Sequence, residues 1–155
     1  MALRDSSLSL LRFIVLPAIA WPGPVLGQAS DITPDVHASH DGVTLDAYAR
    51  DGRIIFCFNA EKQMKIASEY GVEFSVPKGQ ARYWDESLPK VVAGTQPYFD
   101  LPVRIELKTR GSSRARQIST ELGVCVNAEY CTPIRFEITV PASNASGERP
   151  PCPAG

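Results

Sequence analysis

The chain lacks any run of lysines and arginines, and its charges nearly cancel. Sixteen Lys and Arg against 17 Asp and Glu leave a formal net charge of −1. Phosphate binding needs a clustered basic surface, so no nucleic acid is expected as the main partner. There is no recognisable Ser-His-Asp set, phosphate-cradling glycine loop or dinucleotide motif, and no cofactor is expected. No apolar stretch after the N-terminal one approaches the ~20 residues a membrane helix takes. No cysteine sits where an export signal would be cut, so a lipid-modified N-terminus is not expected.

What is present points to one secreted domain. The 155 residues favour a single domain. Arg4 and Arg12 precede an apolar run from Phe13 to Ala20 (FIVLPAIA), and small residues follow in VLGQAS. This is the layout of a cleaved export signal over residues 1–29, with cleavage after Gly27 or Ala29. The rival is a membrane anchor. The run is too short for that and is broken by Pro17, Pro22 and Pro24. The mature protein is thus expected in an oxidising compartment, where cysteines can pair.

Residues 30–42 are polar and rich in turn formers, and are predicted to form a flexible mature N-terminus. Val43 to Ala49 and Arg53 to Phe58 are β-prone runs separated by Asp51-Gly52, a hairpin signal. Residues 60–70 fit either a short helix or an irregular crossing. Val72 to Val76 is a strand candidate. Residues 80–100 form a long connection, which in a compact domain is usually functional or mobile. Val103–Thr109, Ile118–Val126 and Ile134–Val140 alternate apolar with polar side chains. Period two places one face on a core and the other in water. The prediction is an all-β antiparallel sandwich over residues 43–141. The Pro-, Ser- and Gly-rich tail, 142–155, is predicted to be disordered.

Four cysteines allow three complete pairings. Cys125 and Cys131 stand five residues apart in CVNAEYC. Alternation puts Cys125 opposite in sense to Ile118, Leu122 and Val124, and Cys131 opposite to Ile134, Phe136 and Ile138. Both thiols therefore fall on the polar side of their strands, within reach of each other and, by expectation, of solvent. A structural hairpin staple is the bland explanation. So short a loop is a modest one, worth about 2 kcal/mol on the chain-entropy model, and an exposed bond is easier to reduce. Two thiols supply only half a tetrahedral zinc site, and nothing nearby completes it. Cys57, within IIFCF, is expected to be an inert core thiol. A Cys57–Cys152 bond is the less favoured choice, since the tail would have to dock on the sheet.

The segment ISTELGVCVNAEYCTPIRFEITVP resembles the active-site hairpin of the N-terminal periplasmic domain of the thiol:disulfide interchange protein DsbD. Cys125, Cys131, Pro133 and Val140-Pro141 carry the match. DLPVRIEL at 100–107, WDESLPK at 84–90 and the Asp51-Gly52 turn extend it over residues 43–141. The resemblance implies an immunoglobulin-like sandwich in the periplasm. It also implies that Cys125 and Cys131 pass electrons from a membrane-embedded donor to oxidised thioredoxin-fold or other periplasmic proteins. In that family a cap loop with an aromatic tip shields the sulfurs. Trp84, Asp85, Glu86, Ser87 and Leu88 take the cap's place here, without its aromatic tip. Full members continue into membrane and thioredoxin-like domains, so a separate electron donor is expected.

Exchange proceeds by thiolate attack through a mixed disulfide. The resemblance implies Cys125 as the first contact with substrate; Glu129, Tyr130 and Pro133 lie beside the site. Glu129 and Glu121 would raise a nearby thiol's pKa. No cation is obviously placed to lower it. The rival from another class is a non-catalytic binding sandwich whose Cys125–Cys131 bond only holds the hairpin. A third possibility is a metal site on His37 and His40 with Asp35 and Asp41, against the plainer reading of a solvated terminus.

Overall fold

The computed structural model describes residues 32–111, 114–142, 145–147 and 149–153. The predicted export signal lies outside the described residues. Two Asp-Gly pairs organise the first three strands: β1 (Val36–His40), β2 (Val43–Arg50) and β3 (Arg53–Ala60). Asp41-Gly42 and Asp51-Gly52 hold φ of 46° and 74°, and of 49° and 70°. Positive φ at both central residues is what a tight two-residue hairpin turn demands. The ladders run Val43 opposite His40 and Arg53 opposite Arg50. β7 (Val103–Lys108) adds to the far edge of β3, completing a sheet in the order β1-β2-β3-β7.

The second sheet is built on β8 (Arg116–Val126). On one edge it pairs β9 (Tyr130–Val140) over its full length. Its other edge is shared by two short strands, β4 (Met64–Ile66) opposite residues 124–126 and β5 (Val72–Ser75) opposite residues 119–122. β6 (Lys90–Val92) flanks β5. Every one of these ladders is antiparallel, the arrangement that sheets with one solvated face favour.

The core lies between the sheets. Leu45, Ala47, Ile54, Phe56 and Phe58 face Phe74, Leu122, Val124, Ile134 and Phe136 in one buried cluster. Phe56 and Phe74 bridge the two layers, ring centroids 5.0 Å apart. The antiparallel all-β sandwich expected from the sequence is the architecture observed.

Four local expectations are corrected. Residues 36–40 are a strand, not part of a flexible terminus: the Asp41-Gly42 turn returns them onto β2. Residues 60–70 contain β4 and a bridge from Ala67 to Tyr98 rather than a helix. The tail docks. Its Pro150 carbonyl accepts from Arg104 and its Pro153 carbonyl from Asn59, and Cys152 is bonded to Cys57. Cys57 is thus not a free core thiol. It points to the outer face of the four-stranded sheet with Tyr48 and Ile55, where Ile32 and Cys152 cover it.

The Cys57–Cys152 bond closes a loop of 95 residues. On the chain-entropy model a loop that long stabilises by about 4–5 kcal/mol. Cys152→Ser is therefore expected to lower unfolding stability by several kcal/mol in urea titration, more than loss of the short Cys125–Cys131 loop.

Glu106 ties the same tail to β7. Its carboxylate accepts from Arg104 and Arg53, and Arg149 stands 3.7 Å away. The Arg104 hydrogen bond holds the carboxyl below its ordinary pKa; burial opposes, and the three guanidinium charges add to the lowering. A depressed folded pKa gives stability that is complete above the unfolded value of about 4.3 and lost as pH falls through the folded one. Glu106→Gln is expected to flatten the acid limb of the melting temperature below about pH 4.3, read by thermal unfolding against pH.

Candidate functional site

Cys125 and Cys131 are directly opposite one another in the β8–β9 ladder and are joined by a disulfide. Pro133 explains the type of pairing. It has no N–H, so its rung with Gly123 is a non-hydrogen-bonded one. The Cys125–Cys131 rung lies two residues along and is of the same type. Side chains approach closest at such rungs, which is where two opposed cysteines can bond. The Cα atoms are 3.9 Å apart, closer than the 4.4–6.8 Å usual for a disulfide, in keeping with the close approach at a non-hydrogen-bonded rung.

The turn beyond the bond is strained. Asn127 and Ala128 hold φ of 50° and 60°, and the Glu129 N–H donates to the Val126 carbonyl. Asparagine accepts this conformation; alanine does so at a cost of about 1–2 kcal/mol. Chain reversal within so few residues, just past the Cys125–Cys131 rung, imposes the geometry.

Alternation correctly put both cysteines on the outer face, but their exposure differs. Cys131 is exposed, whereas Cys125 is 0% exposed. The expectation that solvent reaches both is corrected. β8 is internal to its sheet, and Cys125 is flanked by Cys131 on β9 and Lys65 on β4. Cys131 lines a slot of about 300 Å³ with Tyr70, Glu73, Glu121, Gly123 and Pro133.

The predicted cap is elsewhere. Trp84 is buried in the core and bridges Thr109. The Asp85 N–H donates to the Lys108 carbonyl, and Glu86 accepts from the Lys108 N–H and from Lys90. Burial pushes the Glu86 carboxyl up, but these donors outweigh it and leave the pKa lowered. Ser87 is exposed, and Leu88 packs on the core. Arg110 joins Tyr83 to the start of β8, since Arg116 donates to the Arg110 carbonyl. Residues 84–88 therefore sit towards the Arg116 end of β8. The segment leads into β6, where Lys90 lies opposite Phe74 and, across it, level with Thr120. That is five residues along β8 from Cys125, about 16 Å at ~3.3 Å per residue. The contacts of Trp84, Asp85, Glu86 and Leu88 are with the core, Lys108, Lys90 and Thr109, away from the sulfurs.

Of the aromatic residues near the disulfide, Tyr130 was expected there, whereas Tyr70 and Tyr98 come from segments the sequence did not single out. A Cβ on Gly123 would stand 3.5 Å from the Tyr70 ring, so Tyr70 lies over the gap glycine leaves on the same face as Cys125. Tyr98 bridges Ala67, and its ring carries the Lys65 ammonium 5.0 Å from its centroid. Contacts of that kind are worth about 0.5–1 kcal/mol at exposed sites. Tyr130 is 76% exposed at the hairpin's end, beside Glu129 in the turn. The signal for Lys65 and Tyr98 was not local. It required the pairing of β4 with β8, and β4 is only three residues long.

His37 and His40 form no shared site. They fall on opposite faces of β1; His37 pairs with Asp46 at 2.6 Å and His40 with Asp41 at 3.5 Å, while Asp35 is taken by Arg50. Among the described residues no group of three or more potential ligands could hold a metal ion, nor is any helix long and apolar enough to cross a membrane. Comparison of the chain with family models, with curated proteins and with solved structures finds no match.

Ala128→Gly removes the strained φ at a small entropic cost in the unfolded chain. It is expected to raise stability by about 0.5–1 kcal/mol in urea unfolding, with the Cys125–Cys131 bond kept.

Proposed function

We propose that this protein is a periplasmic thiol–disulfide exchange module that carries reducing equivalents through Cys125 and Cys131. The electrons pass from a membrane-embedded dithiol donor to oxidised thioredoxin-fold or other periplasmic proteins. The observation that carries this is the asymmetry of the bond: one sulfur's residue is exposed at the lip of a slot, its partner is buried, and both stand on a close cross-strand rung. The resemblance of residues 118–141 to the DsbD hairpin supports the same reading and supplies the direction of electron flow.

A donor thiolate attacks the sulfur of Cys131 and the Cys125–Cys131 bond breaks. Cys125 leaves with the electron pair, and a mixed disulfide joins the donor to Cys131. The donor's second thiol then displaces Cys131. The donor ends as a disulfide, and this protein holds two thiols, having gained two electrons and two protons. The reverse sequence hands them on: Cys131 attacks a substrate disulfide and Cys125 resolves the intermediate. Exposure thus favours Cys131 for first contact, opposite to the preference for Cys125 that the resemblance implies.

A purely structural bond is the alternative. It has little to add, because β8 and β9 already share an eleven-rung ladder and the short loop contributes only about 2 kcal/mol. Covalent trapping separates the two. The Cys125→Ala variant, with Cys131 free, is expected to retain disulfide-linked proteins from a periplasmic extract. Cys131→Ala, with only the buried thiol, is expected to retain few. Failure of both variants to trap, together with resistance of the native bond to a reduced thioredoxin-fold protein, returns the structural reading.

A further inference from the structure

The leaving sulfur in that exchange is the buried one, and this poses an electrostatic problem. A thiolate without water around it is disfavoured, and its pKa rises unless an opposite charge is supplied. The groups around Cys125 can be taken element by element. β9 offers Cys131, and β8 itself offers Gly123 on the same face. The loops offer Tyr70, over Gly123, and Tyr98. The acids on the same sheet include Glu129 in the turn and Glu73 and Glu121 further along, and Arg135 stands opposite Glu121. The carboxylates would disfavour a thiolate. Among the described residues, the cation directly opposite Cys125 in the ladder is Lys65, on β4.

We propose that Lys65 is the counter-ion of the Cys125 thiolate, held on the Tyr98 ring while the disulfide is closed and turned across the ladder when it opens. The proposal rests on the exchange reading for its purpose, but its chemistry concerns only this chain. Directly opposed residues on one face have Cβ atoms about 4.5–5.5 Å apart. The lysine stem is flexible and its head can therefore reach either neighbour. With the bond closed there is no charge on Cys125, and the ammonium rests on the quadrupole of Tyr98. With the bond open a full negative charge lies on the other side of the same residue, in a drier place, and it outcompetes the ring. Lys65 thereby makes Cys125 the better leaving group, which directs the incoming thiolate to Cys131.

The test is a titration of one thiol in the full chain. In the Cys131→Ala background, with Cys57–Cys152 intact, the thiolate absorbance of Cys125 is followed against pH for Lys65, Lys65→Met and Lys65→Arg. An opposite charge at this range lowers a pKa by about 1–3. Lys65→Met is therefore expected to move the titration up by about one pH unit or more, and Lys65→Arg to restore it. In the native-cysteine protein, Lys65→Met is expected to slow reduction by a small dithiol roughly threefold or more, and Tyr98→Leu to leave it equal or faster. Lys65 is exposed, so these variants are expected to fold, and circular dichroism checks that they do. An unmoved titration in Lys65→Met overturns the proposal. So does a slower reduction in Tyr98→Leu, which would make the ring contact structural. A shifted titration with no trapped partner leaves the counter-ion standing and removes the exchange role instead.

Discussion

The β8–β9 ladder is the constraint on which the rest of this structure depends. Eleven consecutive rungs fix the register from Arg116 opposite Val140 to Val126 opposite Tyr130. A slip by one residue would exchange the faces of every side chain on one strand. It would send Ile134, Phe136 and Ile138 into water and separate Cys125 from Cys131 at once. The same hydrophobic alternation that builds the core therefore positions the two sulfurs. Pro133 adds the second condition. With no N–H to give, it fixes which rungs are hydrogen-bonded and puts the cysteines on a close one.

The two disulfides sit on opposite layers and do different physical work. Cys57–Cys152 spans 95 residues and pins the C-terminal segment across the outer face of the β1-β2-β3-β7 sheet. It lies with Tyr48 and Ile55, and Arg104, Glu106 and Asn59 hold the chain around it. Its loop is long enough for cross-linking to restrict the unfolded ensemble substantially. Cys125–Cys131 spans six and links strands that are already paired. Stability is a good reason for the first bond and a poor one for the second.

Period-two patterning made the antiparallel strands and the outer-face position of both site cysteines legible, because a strand's side chains must alternate whatever it packs against. Three things were not legible. The run IIFCF is apolar at both parities, which signals a strand covered on both faces; what covers it, the tail through Cys152, is far away in sequence. The Asp41-Gly42 turn had the same chemistry as Asp51-Gly52, but the polar strand before it lacked the apolar alternation that marks a strand. The burial of Cys125 followed from neither spacing nor alternation. It arises because β4, too short to carry a pattern of its own, lines the second edge of β8. The segment 84–88 shows the converse error. Its resemblance to a cap was a matter of order along the chain, whereas Trp84 is a large apolar side chain that the core takes up.

Burial and exposure of the two sulfurs have to be considered together with the sheet's rigidity. An exchange site must accept a partner's sulfur in line with its own bond, and a paired strand cannot swing to meet it. Orientation is then decided before any partner arrives: Cys131 faces outward from edge strand β9, and Cys125 lies behind it on an internal strand. Under the proposed exchange role, attack from solvent has one sulfur to reach and one to expel. What remains adjustable is local. It is the charge beside the expelled sulfur, which Lys65 supplies from β4, a segment outside the hairpin. On that proposal the hairpin sets which sulfur is attacked, and Lys65 sets how readily the other one leaves.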